Sequence, residues 1–279
     1  MLTASLRLLG AGDRSAIDSV LEREPIAGAQ VADLVNGTGV NWWRSGARLL
    51  GHGSGKSIDA LCWCGVNMIP VGADATAAAA FAGFARAERR RSSSLVGPAD
   101  VVLDMWSTIQ PRWGPAREVR ADQPLLIADQ PAVPAPDPRV RLARAGELDV
   151  LLPAAIAMYT AEVGVSPVTR RGGSGYRRRI SDLIAGGRAY VRIDAGEVVF
   201  KADLAVLTPR TAQIQGVWVP PGRRGEGLAT AGVSAVLADA FRRGIPTVSL
   251  YVNHNNVPAR RVYERCGFRE VGRFATVLF

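Results

Sequence analysis

Two stretches of this chain read as copies of one another, and the segment between them fits neither. Residues 128–139 read ADQPAVPAPDPR, a Pro-rich extended linker without a burial pattern. Before it, Arg7-Leu8-Leu9-Gly10-Ala11-Gly12-Asp13 parallels Arg141-Leu142-Ala143-Arg144-Ala145-Gly146-Glu147 after it. An Ala-rich helical pattern over 76–90 parallels 230–243, and the strand-like Ser94-Leu95-Val96 parallels Ser249-Leu250-Tyr251. Pro98-Ala99 parallels Pro258-Ala259, each opening a helix, and Arg117-Glu118-Val119 parallels Arg269-Glu270-Val271. Both halves then close on apolar residues, Leu125-Leu126-Ile127 and Val277-Leu278-Phe279. Each match is weak alone, but matches kept in order up to the linker and the chain end predict one fold used twice. The expected boundaries are a first domain at 1–128, a linker at 129–138 and a second domain at 139–279.

The second copy contains a segment with its own chemistry. Val217-Trp218-Val219 reads as a strand, Pro220-Pro221-Gly222-Arg223-Arg224-Gly225-Glu226-Gly227 as a turn, and the Ala-rich run from Leu228 as a helix. A glycine turn running into a helix N-terminus is a cradle for phosphate. Its N–H groups point outward, the helix dipole favours negative charge, and the missing Cβ atoms permit close approach. A dinucleotide fingerprint fails here because Thr230 stands where Gly or Ala is needed, and a Walker loop fails for want of lysine. Arg224-x-x-Gly227-x-Ala229 resembles the pyrophosphate loop of the GNAT superfamily of N-acetyltransferases. The family's second signature follows at the usual spacing, as Asn256-x-x-Ala259, Tyr263 and Gly267-Phe268 after the strand pattern of 248–252. The resemblance covers residues 139–279.

The resemblance implies an α+β fold of two tandem GNAT-like domains, each a mixed, mostly antiparallel central sheet flanked by helices. It implies acetyl transfer from acetyl-CoA, as cosubstrate, to the primary amine of a small molecule or a protein. The pyrophosphate would lie on the backbone of Arg224, Gly225, Gly227, Leu228 and Ala229. The pantetheine arm would run along Val217 and Val219, with Asn256 touching it or capping the helix. Tyr263 would protonate the leaving thiolate. The family often carries a glutamate on the strand before the loop, but this strand offers Gln213 and Gln215, which take no proton at neutral pH. Glu162, Asp203 and His254 are the remaining candidates for a base, with Glu162 preferred on the acceptor side. A non-catalytic acyl-CoA sensor or regulatory module is the alternative, binding the same ligand without turnover.

The copies differ where chemistry would occur. Opposite the Arg224 loop, residues 65–74 keep a strand and a proline but have no arginine and end on Asp74; opposite Tyr263 stands Leu103. The first half is therefore expected to be inactive. Gly51-His52-Gly53-Ser54-Gly55-Lys56-Ser57 ends like a Walker loop, but Leu50 occupies its first glycine position and a strand-like run follows, so it reads as a hairpin turn. Cys62-x-Cys64 lacks a second ligand pair, so no metal is expected.

Composition narrows the class further. Net charge is +9, carried almost wholly by arginine because Lys56 and Lys201 are the two lysines. The runs 89–91 and 177–179 of arginine lack interleaved aromatics, which argues for solvated faces and against nucleic acid. No apolar run suits a membrane helix. The start MLTASLRLLG lacks a charged lead, an adequate apolar run and a cleavage site for a signal peptide, and three cysteines form no disulfide framework. A cytoplasmic enzyme is expected.

Overall fold

The structure, a computed structural model, describes residues 5–40, 46–55, 57–168 and 173–279. Lys56, of the Walker-like run, lies outside them. The two halves repeat the same order of strands and helices, the second adding a 3-10 turn at Pro221–Arg223. The first copy runs β1 (Ser5–Leu8), a 3-10 turn (Ala11–Asp13), α1 (Arg14–Arg23), α2 (Ala29–Thr38), β2 (Arg48–Gly53), β3 (Ala60–Cys64), β4 (Asn67–Val71), α3 (Ala75–Ala87), β5 (Ser94–Pro98), α4 (Ala99–Trp113) and β6 (Glu118–Ala128). The second runs β7 (Arg141–Leu142), a 3-10 turn (Ala145–Glu147), α5 (Leu148–Val163), α6 (Ser174–Ala185), β8 (Ala189–Asp194), β9 (Glu197–Leu207), β10 (Thr211–Trp218), a 3-10 turn (Pro221–Arg223), α7 (Leu228–Arg242), β11 (Thr247–Tyr251), α8 (Val257–Arg265) and β12 (Arg269–Leu278).

The physical basis of the first matched heptapeptide is a repeated ion pair. Arg7 Nη1 donates to Asp13 at 2.7 Å while the Asp13 carboxylate accepts from Gly10 N at 2.8 Å. Arg141 and Glu147 repeat it, at 2.6 Å between Nη2 and Oε1, with Arg144 N donating at 2.8 Å. Each acid thus ties the strand before it to the helix after it and caps that helix entry.

The chain divides into two compact units: Met1–Leu125 with Tyr251–Asn255 and Glu270–Phe279, and Leu126–Leu250 with Asn256–Arg269. The units do not follow the contiguous division at 128 and 139 expected from the linker. In the first, β12 closes the sheet beside β5, antiparallel with Thr276 opposite Val96. Thr276 Oγ1 donates to Gln123 Oε1 at 2.6 Å, and Gln123 Nε2 donates to Asn253 Oδ1 at 2.8 Å, so β6 and β12 lock together through buried polar groups. The reason the division departs from the linker lies in the repeat itself. Both copies end on the same Arg-Glu-Val entry and an apolar strand, so either closing strand carries the pattern the position needs.

The sheet of the first unit runs β1-β2-β3-β4-β5-β12-β6, and that of the second β11-β10-β9-β8-β7. All pairs with given register are antiparallel except β4 with β5 and β10 with β11. In the Walker-like run, Gly51–Gly53 end β2, which pairs antiparallel with β3, Leu50 opposite Cys62. Helices cover both faces in the first unit, one core built on Phe81, Met105 and Ile109 and the other on Ile17, Leu49 and Leu61. In the second unit α5 and α6 bury Leu151, Ala155 and Ile180 against β8 and β9. Strand alternation in β9 sends Phe200 under α7, against Gly232, and Lys201 towards Met158 of α5.

The linker is not a free spacer. Asp137 is buried, its N–H donates to Ala231 O at 3.0 Å, and its Oδ2 accepts from Arg192 Nη1 at 2.8 Å. A buried guanidinium on β8 requires a counter-charge, and one linker aspartate supplies it.

Candidate active site

The site is built where β10 parts from β11. The parallel pairing covers Thr211–Gln213 against Thr247–Ser249 and is not continued by the later residues of β10. On its other side β10 breaks register with β9: Gln215 pairs with Asp203 and Trp218 with Lys201, so Gly216 and Val217 bulge outward. Gly216 makes the bulge possible, with φ +62°. The outcome is a strand end whose backbone towards β11 is left for another partner.

β10 ends at Trp218, so Val219 begins the turn and does not extend the strand. The chain passes through the 3-10 turn into Gly225 and Gly227, at φ +85° and +80°, and Gly227 is the N-cap of α7. A Cβ built at Gly222, Gly225 or Gly227 meets nothing within 4 Å, so the turn faces open space. The first N–H taken up by the helix is that of Ala231, donated to Gly227 O at 3.1 Å. The N–H groups ahead of it have no intrahelical acceptor and concentrate the positive end of the dipole. The two arginines play different parts. Arg223 is matched by Glu226 at 2.7 Å, whereas Arg224 Nε donates to Val219 O at 3.3 Å and folds the turn back on the strand end.

The other predicted residues fall on α5 and α8. Asn256 caps α8, its Oδ1 accepting from Ala259 N at 3.3 Å, which realises the capping alternative read from the sequence. Tyr263 is buried with its ring edge-on to Phe268 at 5.7 Å. Burial pushes its hydroxyl pKa upward, and the negative charge of Glu162 adds to the shift. The phenol thus stays protonated across the neutral range. Glu162 is exposed near the end of α5 and acts electrostatically on both Tyr263 and Tyr176. Tyr176 of α6 donates to Ala155 O at 2.9 Å; burial first, then Asp203, raises it to about 12. His254 belongs to the first unit, where Nδ1 stands 3.3 Å from Asp122.

Asp203, one of the candidate bases, lies in a cluster that the sequence reading did not assemble. Lys201 is fully buried and its Nζ donates to Asp203 Oδ2 at 2.6 Å and to Gly216 O at 3.0 Å. The second carboxylate oxygen, Asp203 Oδ1, is buried and has no hydrogen-bond partner among the described residues. A buried acceptor left unpaired costs roughly 1–3 kcal/mol. The visible signal was Lys-Ala-Asp inside an apolar strand, since charges two apart on a strand share one face.

The first unit shows the same scaffold with its cradle closed. Asp74 is the N-cap of α3 and its Oδ1 accepts from Ala77 N at 2.8 Å, placing a carboxylate at the helix end. Its β5 runs into α4 at Pro98–Ala99 with no counterpart of the loop at 252–256. Cys62 and Cys64 are free and stand 3.8 Å apart, and burial raises the Cys62 thiol. No group of metal-binding side chains occurs among the described residues.

Comparison with known proteins agrees with this geometry. Residues 170–268 match the acetyltransferase (GNAT) family, and residues 47–151 match a domain of unknown function, DUF4081. A mycothiol acetyltransferase of Brachybacterium faecium is 38% identical over 78 residues, 28% of this chain and 24% of that protein. The matched stretch therefore spans about a quarter of that relative's length. A GCN5-related N-acetyltransferase from Sphaerobacter thermophilus has the same fold, at 18% identity and a TM-score of 0.62 over 99% of this chain and 96% of that one. So does a tandem GNAT protein from the clavulanic acid biosynthesis pathway, at 14% identity and 0.56 over 99% and 98%. Residues 170–268 thus match the GNAT acetyltransferase family, and the chain shares its fold from end to end with a tandem GNAT protein.

Proposed function

We propose that the second unit transfers an acetyl group from acetyl-CoA to a primary amine, with the first unit serving as scaffold. The observation that carries this reading is the open turn at Gly225 and Gly227 on the N-terminus of α7, beside a strand end that has left its neighbour. A polyanionic, amide-rich ligand fits both parts. The N–H groups from Gly225 to Thr230 would hold the pyrophosphate, as they do for anions at helix ends generally. The backbone of Val217 to Val219 would pair with the amides of the pantetheine arm as an added strand.

Acetyl-CoA supplies an acetyl group activated as a thioester. The chain supplies position and protons. The N–H at Val219 would donate to the thioester carbonyl oxygen as it gains charge. Tyr263, kept protonated by burial and by Glu162, would donate its proton to the departing sulfur. Glu162 at the rim would attract the cationic acceptor, which would lose one proton to water before attack and a second, through water, to the Tyr263 oxygen as the amide forms. In the first unit, the Asp74 carboxylate occupies the helix end and repels an anion, so no cofactor is held there. The acceptor is the amine of a small molecule or a protein; the relative named for mycothiol makes an amine on a thiol-bearing sugar one class to try. Free cysteines suit a reducing cytoplasm, where we place the enzyme.

Calorimetry with acetyl-CoA is the test. One binding event per chain is expected, and no binding by the intact protein would end the proposal. Tyr263→Phe should bind acetyl-CoA normally and lose at least about 10²-fold in thiol release. A variant that retains the full rate removes Tyr263 as the acid. Binding with no thiol release across a broad amine panel would identify a sensor instead.

A further inference from the structure

We propose that the Lys201–Asp203 pair beneath the Gly216 bulge is the subsite for the acceptor's primary amine, with the unpaired Asp203 Oδ1 as its anchor. This rests on the reading of the second unit as an acetyltransferase of amines.

The geometry narrows what the unpaired oxygen is for. Lys201 Nζ holds only the other oxygen, Oδ2, at 2.6 Å, and spends a further hydrogen on Gly216 O at 3.0 Å. The carboxylate is thereby fixed in orientation, with one oxygen committed and one left open. A purely structural ion pair on a sheet would satisfy both oxygens, since buried polar atoms rarely stay unmatched. An acceptor-only group calls for a donor, and a carboxylate makes its strongest hydrogen bonds to charged donors. A primary ammonium is such a donor, with a proton for Oδ1 and others for neighbouring acceptors.

The cover over the pair is movable. A Cβ at position 216 would stand 2.9 Å from Met158 Cε, 3.0 Å from Asp203 Oδ2 and 3.0 Å from Lys201 Nζ. So the methyl of Met158, the bulge and the ion pair meet at one point, and only glycine lets them pack this closely. Met158 is only half-buried, and its unbranched thioether side chain rearranges easily. Its displacement would uncover the Lys201–Asp203 pair on the side facing α5. The location suits the reaction, because the bulge lies on the strand whose end receives the thioester in the proposed reading.

Methylammonium chloride is the probe, used on the intact protein. In a crystal soaked with it, the nitrogen is expected within hydrogen-bond distance of Asp203 Oδ1, with Met158 moved aside. In solution, Asp203→Asn should weaken methylammonium binding at least tenfold, while acetyl-CoA affinity stays within twofold of the wild type. A protein group or a water on Oδ1, with methylammonium elsewhere, overturns the proposal, as does equal affinity in the variant. Should Asp203→Asn fail to fold, the wild-type soak decides alone. The two readings fail separately. Acetyl-CoA binding without methylammonium at Asp203 ends the subsite only, whereas a seated methylammonium in a protein that ignores acetyl-CoA ends the enzyme reading.

Discussion

Gly232→Ala sets helix propensity against packing and shows which prevails in the second unit. Gly232 lies inside α7, where alanine normally gains about 1 kcal/mol over glycine. A Cβ there would come within 2.6 Å of Phe200 Cδ2 and Cζ, and nearer still to Cε2. Phe200 is fully buried on β9, so the ring cannot turn into solvent. Relief needs an off-rotamer ring at about 0.5–1.5 kcal/mol, or a shift of α7 off the sheet, with overpacking of this kind costing about 1–3 kcal/mol or more. Contacts this short call for the upper end of that cost, so after the propensity gain the net expectation is a loss of about 2 kcal/mol. The control is Gly83→Ala in α3, an exposed helix position whose added Cβ meets nothing within 4 Å. It should gain up to about 1 kcal/mol. Urea denaturation followed by circular dichroism reads both, at unchanged m-value. Because α7 also carries the Gly227 turn, Gly232→Ala should weaken acetyl-CoA binding as well. A Gly232→Ala protein as stable as the wild type would refute the claim that Phe200 fixes the height of α7.

Gly227→Val should impose about 1–3 kcal/mol of strain, because its φ of +80° is closed to a β-branched residue, and acetyl-CoA binding measured by calorimetry should fall at least tenfold. Asp137→Ala leaves the buried Arg192 with Asp194 at 2.5 Å as its remaining partner. The loss in urea denaturation should therefore be about 2 kcal/mol, below the 3–5 of a fully stranded charge. Glu147 is held down from its usual 4.5 to about 2, first by its hydrogen bond from Arg141. A carboxylate depressed in the folded state stabilises at pH above 4.5, and that contribution is lost as pH falls towards 2. Unfolding midpoints across that window should drop faster for the wild type than for Glu147→Gln, and parallel curves would contradict the pairing.

Most of the site's chemistry was legible because it is local. The Gly225–Gly227 turn, the Asn256 cap and the Arg7–Asp13 and Arg141–Glu147 pairs join residues within six positions of each other, so short sequence words specify them. Glu162 and Tyr263 were named on separate helices, and the fold brings them within electrostatic reach. What the words left out was pairing at a distance. Lys201 and Asp203 were visible as charges in an apolar strand. That they form one pair with an open oxygen depends on the bulge at Gly216, fifteen residues further along the chain for Lys201.

The sequence by itself determined that one fold is used twice and that matching helices open on Asp74 in the first copy and on Gly227 in the second. Dihedral preference, capping and glycine content act over a few residues and need no tertiary context. The tertiary structure decided which strand closes the first unit and where the linker docks. Two closing strands with the same Arg-Glu-Val entry carry no local mark of their partner, and only packing beside β5 selects β12. The linker reads as polar and extended, and only Arg192, buried on β8 and needing a counter-charge, gives Asp137 its place.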